Sequence, residues 1–275
     1  MAFDPASERV PLRDVVAGGQ VTCPLEEAAL HLARQEYPEL ELRPWLNQID
    51  GFADQVRSLL TEHADPPEIV GAVNDILFRD LGFRGNTEDY YDPRNSFLND
   101  VIARRCGIPI TLSTLYMALA RRVGCELQGT GFPGHFLVRA SRPGWPILVD
   151  CFHGGLILSE EECREMVAQS GTSTWDPAFV QPVPARAILR RMLNNLRAIY
   201  LDRRDWERLR RTALQILVVT PEDHDEHFTL GVALAGVGRA SDAVDELERF
   251  LQLRPETSNR WRAEKMLREL RARLA

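Results

Sequence analysis

Arg105-Cys106-Gly107-Ile108-Pro109-Ile110-Thr111-Leu112-Ser113, followed by Gly134-His135-Phe136 and Val149-Asp150, is the part of this chain that decides its fold. The first run opens an apolar helix expected over about Pro109–Val123, with Leu112, Leu115, Leu119 and Val123 on one face. Arg121-Arg122 suit the negative end of its dipole, and Gly124 ends it. A helix N-terminus stabilises a thiolate, because unpaired N–H groups and the dipole favour negative charge. Two later strands would offer it His135 as a base and Asp150 as the orienter of that base. The helix start carries Pro109 instead, which has no reactive atom. The chemistry has either moved or gone.

Upstream of this helix the pattern is helical. Pro24 suits a first turn, and Leu25, Ala28, Ala29 and Leu32 recur at helical spacing until Pro38. A second helix is expected over about Leu42–His63, with Leu46, Ile49, Phe52, Val56, Leu59 and Leu60 turned inward. Asp65-Pro66-Pro67-Glu68 is a capping box opening a third. Gly82–Asn95 is loop by composition, and a short helix follows over about Phe97–Arg105. Downstream the period changes to that of strands, over Glu126–Phe132, Phe136–Ala140 and Ile147–Cys151, with turns at Pro133-Gly134 and Arg142-Pro143-Gly144. Ser159 and Glu162 form another capping box, for a helix over about Glu160–Gln169.

Composition sets the outer limits. The chain has 275 residues, 44% hydrophobic and 27% charged, with room for one large domain or two modest ones. A net charge of −7 argues against nucleic acid as a partner, and Arg208-Leu209-Arg210-Arg211 reads as a solvated helix face. Cys23, Cys106, Cys125, Cys151 and Cys163 form no C-x-x-C pair or zinc spacing, and no run is long enough to span a bilayer. Residues 1–20 lack the basic start and apolar core of a secretory signal, so a reducing cytoplasm is the expected setting.

Beyond residue 184 the chain repeats. Leu196 and Leu230, Tyr200 and Leu234, and Pro221 and Pro255 are each 34 residues apart, and Leu230-Gly231, Ala243 and Pro255 fall at offsets that resemble tetratricopeptide repeats. The first unit is degenerate, with Arg197 and Leu209 where glycine and alanine are usual. The segment from Ser258 onward reads as a closing, solvating helix.

Taken together, Asn95–Val101, Arg105–Ser113 and Gly131-Phe132-Pro133-Gly134-His135-Phe136-Leu137-Val138 resemble the SirB-type family of bacterial proteins, over roughly residues 22–255. In that family a transglutaminase-like domain precedes tetratricopeptide repeats. The resemblance implies an α+β fold: a mostly helical, papain-like domain with a small antiparallel sheet, then a helical array. The implied organisation is a flexible arm at 1–20, the transglutaminase-like domain at 21–170, a linker at 171–184 and the repeats at 185–275. Catalytic members carry a cysteine at the start of the central helix, then a histidine and an aspartate on successive strands. Here the last two match His135 and Asp150, and the cysteine position falls near Pro109.

Each candidate has a plain alternative reading. His135 at a strand start can be a structural imidazole held by a carboxylate, although the 15-residue step to Asp150 fits a contact across adjacent strands. Cys106 lies three residues before Pro109, within roughly 10 Å of chain, and Arg104 and Arg105 would favour its thiolate; it is equally a small residue at a helix end. Thr111 and Ser113 suit capping better than nucleophilic attack. Cys125 and Cys163 read as core, the Asp89-Tyr90-Tyr91-Asp92 tyrosines as aromatic packing, and His224 and His227 as packing or surface without a third ligand. The expectation is a protein or peptide-interaction module with a vestigial cleft, without cofactor or metal and without a membrane. The alternative is a cysteine-dependent amide or isopeptide hydrolase or acyltransferase using Cys106, His135 and Asp150.

Overall fold

The computed structural model describes residues 10–140, 147–171 and 174–274. Contacts divide the chain into two units, one holding residues 23–33 and 39–188, the other residues up to 22, 34–38 and 189 onward. Pro11–Asp14 forms a 3-10 turn, and β1 (Val16–Ala17) pairs antiparallel with β2 (Gln20–Val21) across Gly18 and Gly19, both at positive φ. Val10, Leu12, Val15 and Val16 are buried. Residues 10–20, expected as part of a loose arm, thus bury four apolar side chains ahead of a tight glycine turn. Residues 1–9 of that stretch lie outside the described residues.

The first unit is built around one helix. Helices α1 (Leu25–Ala33), α2 (Leu42–Ser58) and α3 (Pro66–Asn74) precede it, and α3 runs on into a π-helical turn, Asp75–Asp80. The Asp65 capping box forms: Glu68 N–H donates to Asp65 Oδ1 at 3.0 Å, and Asp65 N–H to Glu68 Oε2 at 2.9 Å. Helix α2 stops short of the expected His63, and Leu59, expected inside, is exposed. The two-residue strand β3 (Arg84–Gly85), helix α4 (Leu98–Arg104) and strand β4 (Cys106–Gly107), which runs parallel to β3, lead into α5 (Pro109–Arg122). Every residue of α5 from Pro109 to Ala120 is buried, so this is a helix without a solvent face.

Strands β5 (Leu127–Gly129), β6 (Val138–Ala140), β7 (Ile147–Asp150) and β8 (Leu156–Leu158) then form one antiparallel sheet in chain order. The fourth strand is an addition to the three expected, and the Arg142-Pro143-Gly144 turn lies outside the described residues. Helix α6 (Glu160–Ser170) opens with the Ser159–Glu162 capping box. In the stretch read as a linker, Pro177–Val180 forms a 3-10 turn. Val180 there is buried, and Trp175 and Phe179 pack on a cluster of Phe132, Leu137, Leu148, Leu158, Cys163 and Val167.

In the second unit, α7 (Ala185–Asp202) and α8 (Trp206–Val219) precede α9 (Glu226–Gly236), α10 (Ala240–Leu253) and the closing α11 (Arg260–Leu274), with the division between units falling early in α7. The 34-residue period works through burial, since Leu196, Leu230, Tyr200 and Leu234 are all inside. Arg210 is buried and paired with Glu207 at 2.8 Å, so the run expected as a solvated face turns one guanidinium inward. At Gly231 an added Cβ would stand 2.8 Å from Leu247 Cγ. Alanine there should therefore cost about 1–3 kcal/mol by overpacking, despite its better helix propensity. Urea denaturation of Gly231→Ala beside the wild type measures that loss.

Candidate functional site

Register brings the two predicted strand residues together. Val138 pairs with Val149 in the β6–β7 ladder, so the chain before β6 runs beside the chain after β7. His135 precedes β6 and Asp150 ends β7, and His135 Nε2 lies 2.8 Å from Asp150 Oδ2. Asp150 is buried, and its other oxygen, Oδ1, accepts backbone N–H groups from Phe152 at 3.0 Å and His153 at 3.2 Å. That Asx-type turn swings His153 back, so that its Nδ1 stands 2.7 Å from the same Oδ2. Gly154 and Gly155 at positive φ complete the reversal into β8, and Asn74 Nδ2 donates to Gly155 O at 2.9 Å to hold it. One carboxylate thus serves two imidazoles on one oxygen and two amides on the other.

Burial works against charge on Asp150. Hydrogen bonds and charge from His135, and then from His153, outweigh it and hold the carboxyl below the ordinary carboxylate range. Phe152 packs edge-on to both imidazoles, with centroids 6.2 Å from His135 and 5.2 Å from His153, and Tyr90 reaches it from the other side at 5.9 Å. Gly85 of β3 is needed for this packing, because a Cβ there would lie 2.6 Å from the Phe152 ring and carbonyl oxygen.

The start of α5 is held by polar contacts. Thr111 Oγ1 donates to Asn95 O at 2.7 Å and accepts from Ile108 N–H at 3.2 Å, and Thr111 is fully buried. Asn95 in turn donates to Asp89 O at 2.8 Å, while its Oδ1 accepts from Asn86 at 3.0 Å and Arg104 at 3.3 Å. Asp92 binds Arg94 at 2.7 Å and Arg104 at 3.2 Å. Thr111 therefore caps, as expected.

Cys106 is buried in β4, with its Cα in register with Arg84. Among the described residues no hydrogen bond joins its thiol to His135 or Asp150. The guanidiniums expected to favour its thiolate are engaged elsewhere. Arg105 stacks over Phe52 and Phe83, at 5.3 and 5.1 Å, and donates to Leu81 O at 2.7 Å; Arg104 serves Asn95 and Asp92. Cys151, next to Asp150, is wholly buried beside Ser113, and burial pushes its thiol far above its ordinary value. Burial, with Glu162 nearby, pushes the Cys163 thiol up to about 11, and burial also raises Cys125. His227 is buried and bound to Glu246 at 2.6 Å, a packing role.

His153 was not among the predicted site residues. One ligand atom from each of His135, Asp150 and His153 falls within 4.8 Å of the others, a grouping that the sequence spacing did not point to. The signal for it is Asp150-Cys151-Phe152-His153-Gly154-Gly155, a histidine three residues after an aspartate and just ahead of a glycine turn. A cavity of about 280 Å³ in this unit lies elsewhere, lined by Glu26, Met117, Arg121, Leu127 and Ile188.

The transglutaminase-like superfamily profile matches residues 43–194, and a tetratricopeptide repeat profile matches residues 196–268. The chain belongs to the transglutaminase-like superfamily. A UPF0162 protein of Xylella fastidiosa (strain Temecula1) is 40% identical over 243 residues, 86% of each chain, and places this chain among the UPF0162 proteins. A UPF0162 protein of Vibrio cholerae is 26% identical over 83% of this chain and 85% of its own length. Human F-box only protein 21 is 33% identical over 147 residues, which is 50% of this chain and 23% of that protein. No solved structure matches the chain. No described helix is long and apolar enough to cross a membrane.

The network at the α5 start has a pH signature. Burial raises the Asp92 carboxyl, but hydrogen bonds from Arg94 and the charges of Arg104 and Arg94 prevail and hold it below its ordinary range. A depressed carboxylate contributes stability that is complete above its unfolded pKa of about 3.9 and is lost as pH falls through the folded value. Asp92→Asn should lower the unfolding free energy by about 1–2 kcal/mol at neutral pH, since Arg94 is largely solvent-exposed. Urea titrations across pH should show that deficit closing below about pH 4.

Proposed function

We propose that this protein is a binding module: a transglutaminase-like domain without acyl-transfer chemistry, joined to tetratricopeptide repeats that hold a protein or peptide partner. The observation that carries this reading is the start of α5. There Pro109 occupies the first helical position, and Thr111 Oγ1 donates to Asn95 O and accepts from Ile108 N–H. A thiolate at that position would draw on free helix-end N–H groups; proline has none, and Ile108 N–H is taken. Cys106, the nearest thiol in sequence, is buried in a backbone-paired strand. The repeats support a protein partner, because stacked helix pairs of this kind present extended surfaces suited to chains. Five unpaired thiols suit a reducing cytoplasm.

The second reading keeps chemistry, with Cys106 as nucleophile, His135 as base and Asp150 as orienter. It is favoured by the 2.8 Å approach of His135 to Asp150, the relation such a base requires.

Site-resolved alkylation against pH separates the two readings. In the native protein Cys23, the most exposed of the five cysteines, should react first, with a midpoint near its raised pKa of about 11. Cys106 should react slowly, at equal rates in wild type and His135→Ala. If Cys106 reacts fastest, with a depressed midpoint that rises in His135→Ala, a thiolate–imidazolium pair exists and the binding-module reading fails. Turnover of an amide or thioester substrate that disappears in Cys106→Ala would overturn it as well.

A further inference from the structure

We propose that His135, Asp150 and His153 form a binding site for one divalent first-row transition metal, with Zn²⁺ as the ion the ligands suit best. Two imidazole nitrogens and one carboxylate oxygen come together there, with the three ligand atoms within 4.8 Å of one another. That donor set is borderline in softness. It fits zinc-class ions rather than Mg²⁺ or Ca²⁺, which take oxygen ligands.

The support around the ligands is what a metal site needs. Asp150 Oδ1 is held by the Phe152 and His153 amides, so Oδ2 alone projects towards the two rings and the carboxylate would bind through one oxygen. His135 enters through Nε2 and His153 through Nδ1, a pairing that fixes which nitrogen of each ring keeps its proton. Without a cation, both ring nitrogens need a proton towards one oxygen, and the His135 Nε2 contact is not aligned as a hydrogen bond. A metal replaces both protons and satisfies all three groups at once.

Ligand atoms around tetrahedral zinc stand about 3.3 Å apart, given bonds of about 2.0–2.1 Å. The observed separations to Oδ2 are 2.8 and 2.7 Å, so loading requires an opening of about half an ångström. His153 supplies its share readily, because its side chain is 58% exposed, and the rest falls to a small turn of the His135 ring against Asp150. The same exposure lets water take the fourth position. Three protein ligands with one open position is the arrangement of reactive rather than purely structural zinc sites. Cys151 is not part of the set, being fully buried beside Ser113.

Equilibrium dialysis of the chelator-treated full chain against Zn²⁺, and then Co²⁺, tests this. The wild type should bind one equivalent. His153→Ala should weaken binding beyond the roughly 10–100-fold that loss of an outer-shell partner costs, with an unchanged circular dichroism spectrum. His153 is the first variant to make because its exposed side chain can be removed without emptying the core. Asp150→Asn should do the same, and Zn²⁺ should raise the thermal midpoint of wild type but not of either variant. The Co²⁺ protein should show ligand-field bands without a thiolate charge-transfer band. Failure to bind one equivalent overturns the proposal. So does a thiolate band, or affinity unaltered in His153→Ala, because each places the ion on the cysteines or nowhere specific.

Discussion

Helix α5 is buried on every side from Pro109 to Ala120, and the first unit is arranged around the consequences. A helix without a solvent face cannot leave its N-terminal donors to water, so the protein must satisfy or remove each of them. Proline at the first position removes one. Thr111 accepts from Ile108 N–H and is itself anchored to Asn95 O. Asn95 gathers Asn86, Asp89 and Arg104, so the loop from Gly82 is ordered by the demands of a helix end. A nucleophile placed there would need the opposite arrangement, with N–H groups left free for its charge. The two demands compete for the Ile108 N–H, and in this chain the Thr111 hydroxyl holds it.

The far side of the site follows from strand register and one turn. Once Val138 pairs with Val149, the segments holding His135 and Phe152 run side by side. Asp150 then acts locally and across the sheet, its Oδ1 shaping the turn to β8 and its Oδ2 drawing in two imidazoles. Removing this carboxylate would loosen the turn as well as the His135 ring. Asp150 is thus used by the β7–β8 connection directly, whatever else its carboxylate does.

Local signals made much of this legible in the sequence. The helix from Pro109, the capping boxes at Asp65 and Ser159, and the meeting of His135 with Asp150 all follow from residue spacing, which is a short-range property. What escaped was close by in sequence but depended on how one turn closes, which residue spacing alone does not give. His153 joins the site only because a turn folds back on Asp150, and strand β8 exists only because β7 offers an edge to Leu156–Leu158. Arg104 and Arg105 look poised for Cys106 in sequence. The positive φ of Arg105 and the waiting rings of Phe52 and Phe83 take one away, and the Asn95 network takes the other.

The repeat unit resolves a problem its length creates. Repeat arrays bury their core by stacking, and about three units are normally needed. This unit has two helix pairs and a closing helix. The deficit is made up by chain from outside the repeats. Val10 joins the core cluster of Leu214, Leu230, Leu247 and Phe250, and Arg211 donates to Gln35 O at 2.9 Å. Gln35 Oε1 accepts from Gln215 at 2.8 Å, and Arg208 pairs with Glu36 at 2.5 Å. The departures of the first repeat from its usual pattern serve the same end. Arg197, where glycine is usual, reaches Glu226 at 2.7 Å, and Leu209, where alanine is usual, is fully buried. Burial raises the Glu226 carboxyl, with Arg197 and Arg190 pulling the other way, so its charge depends on those two arginines of α7. A glycine at residue 197 would restore the repeat pattern and strip that buried acid of one of its two partners.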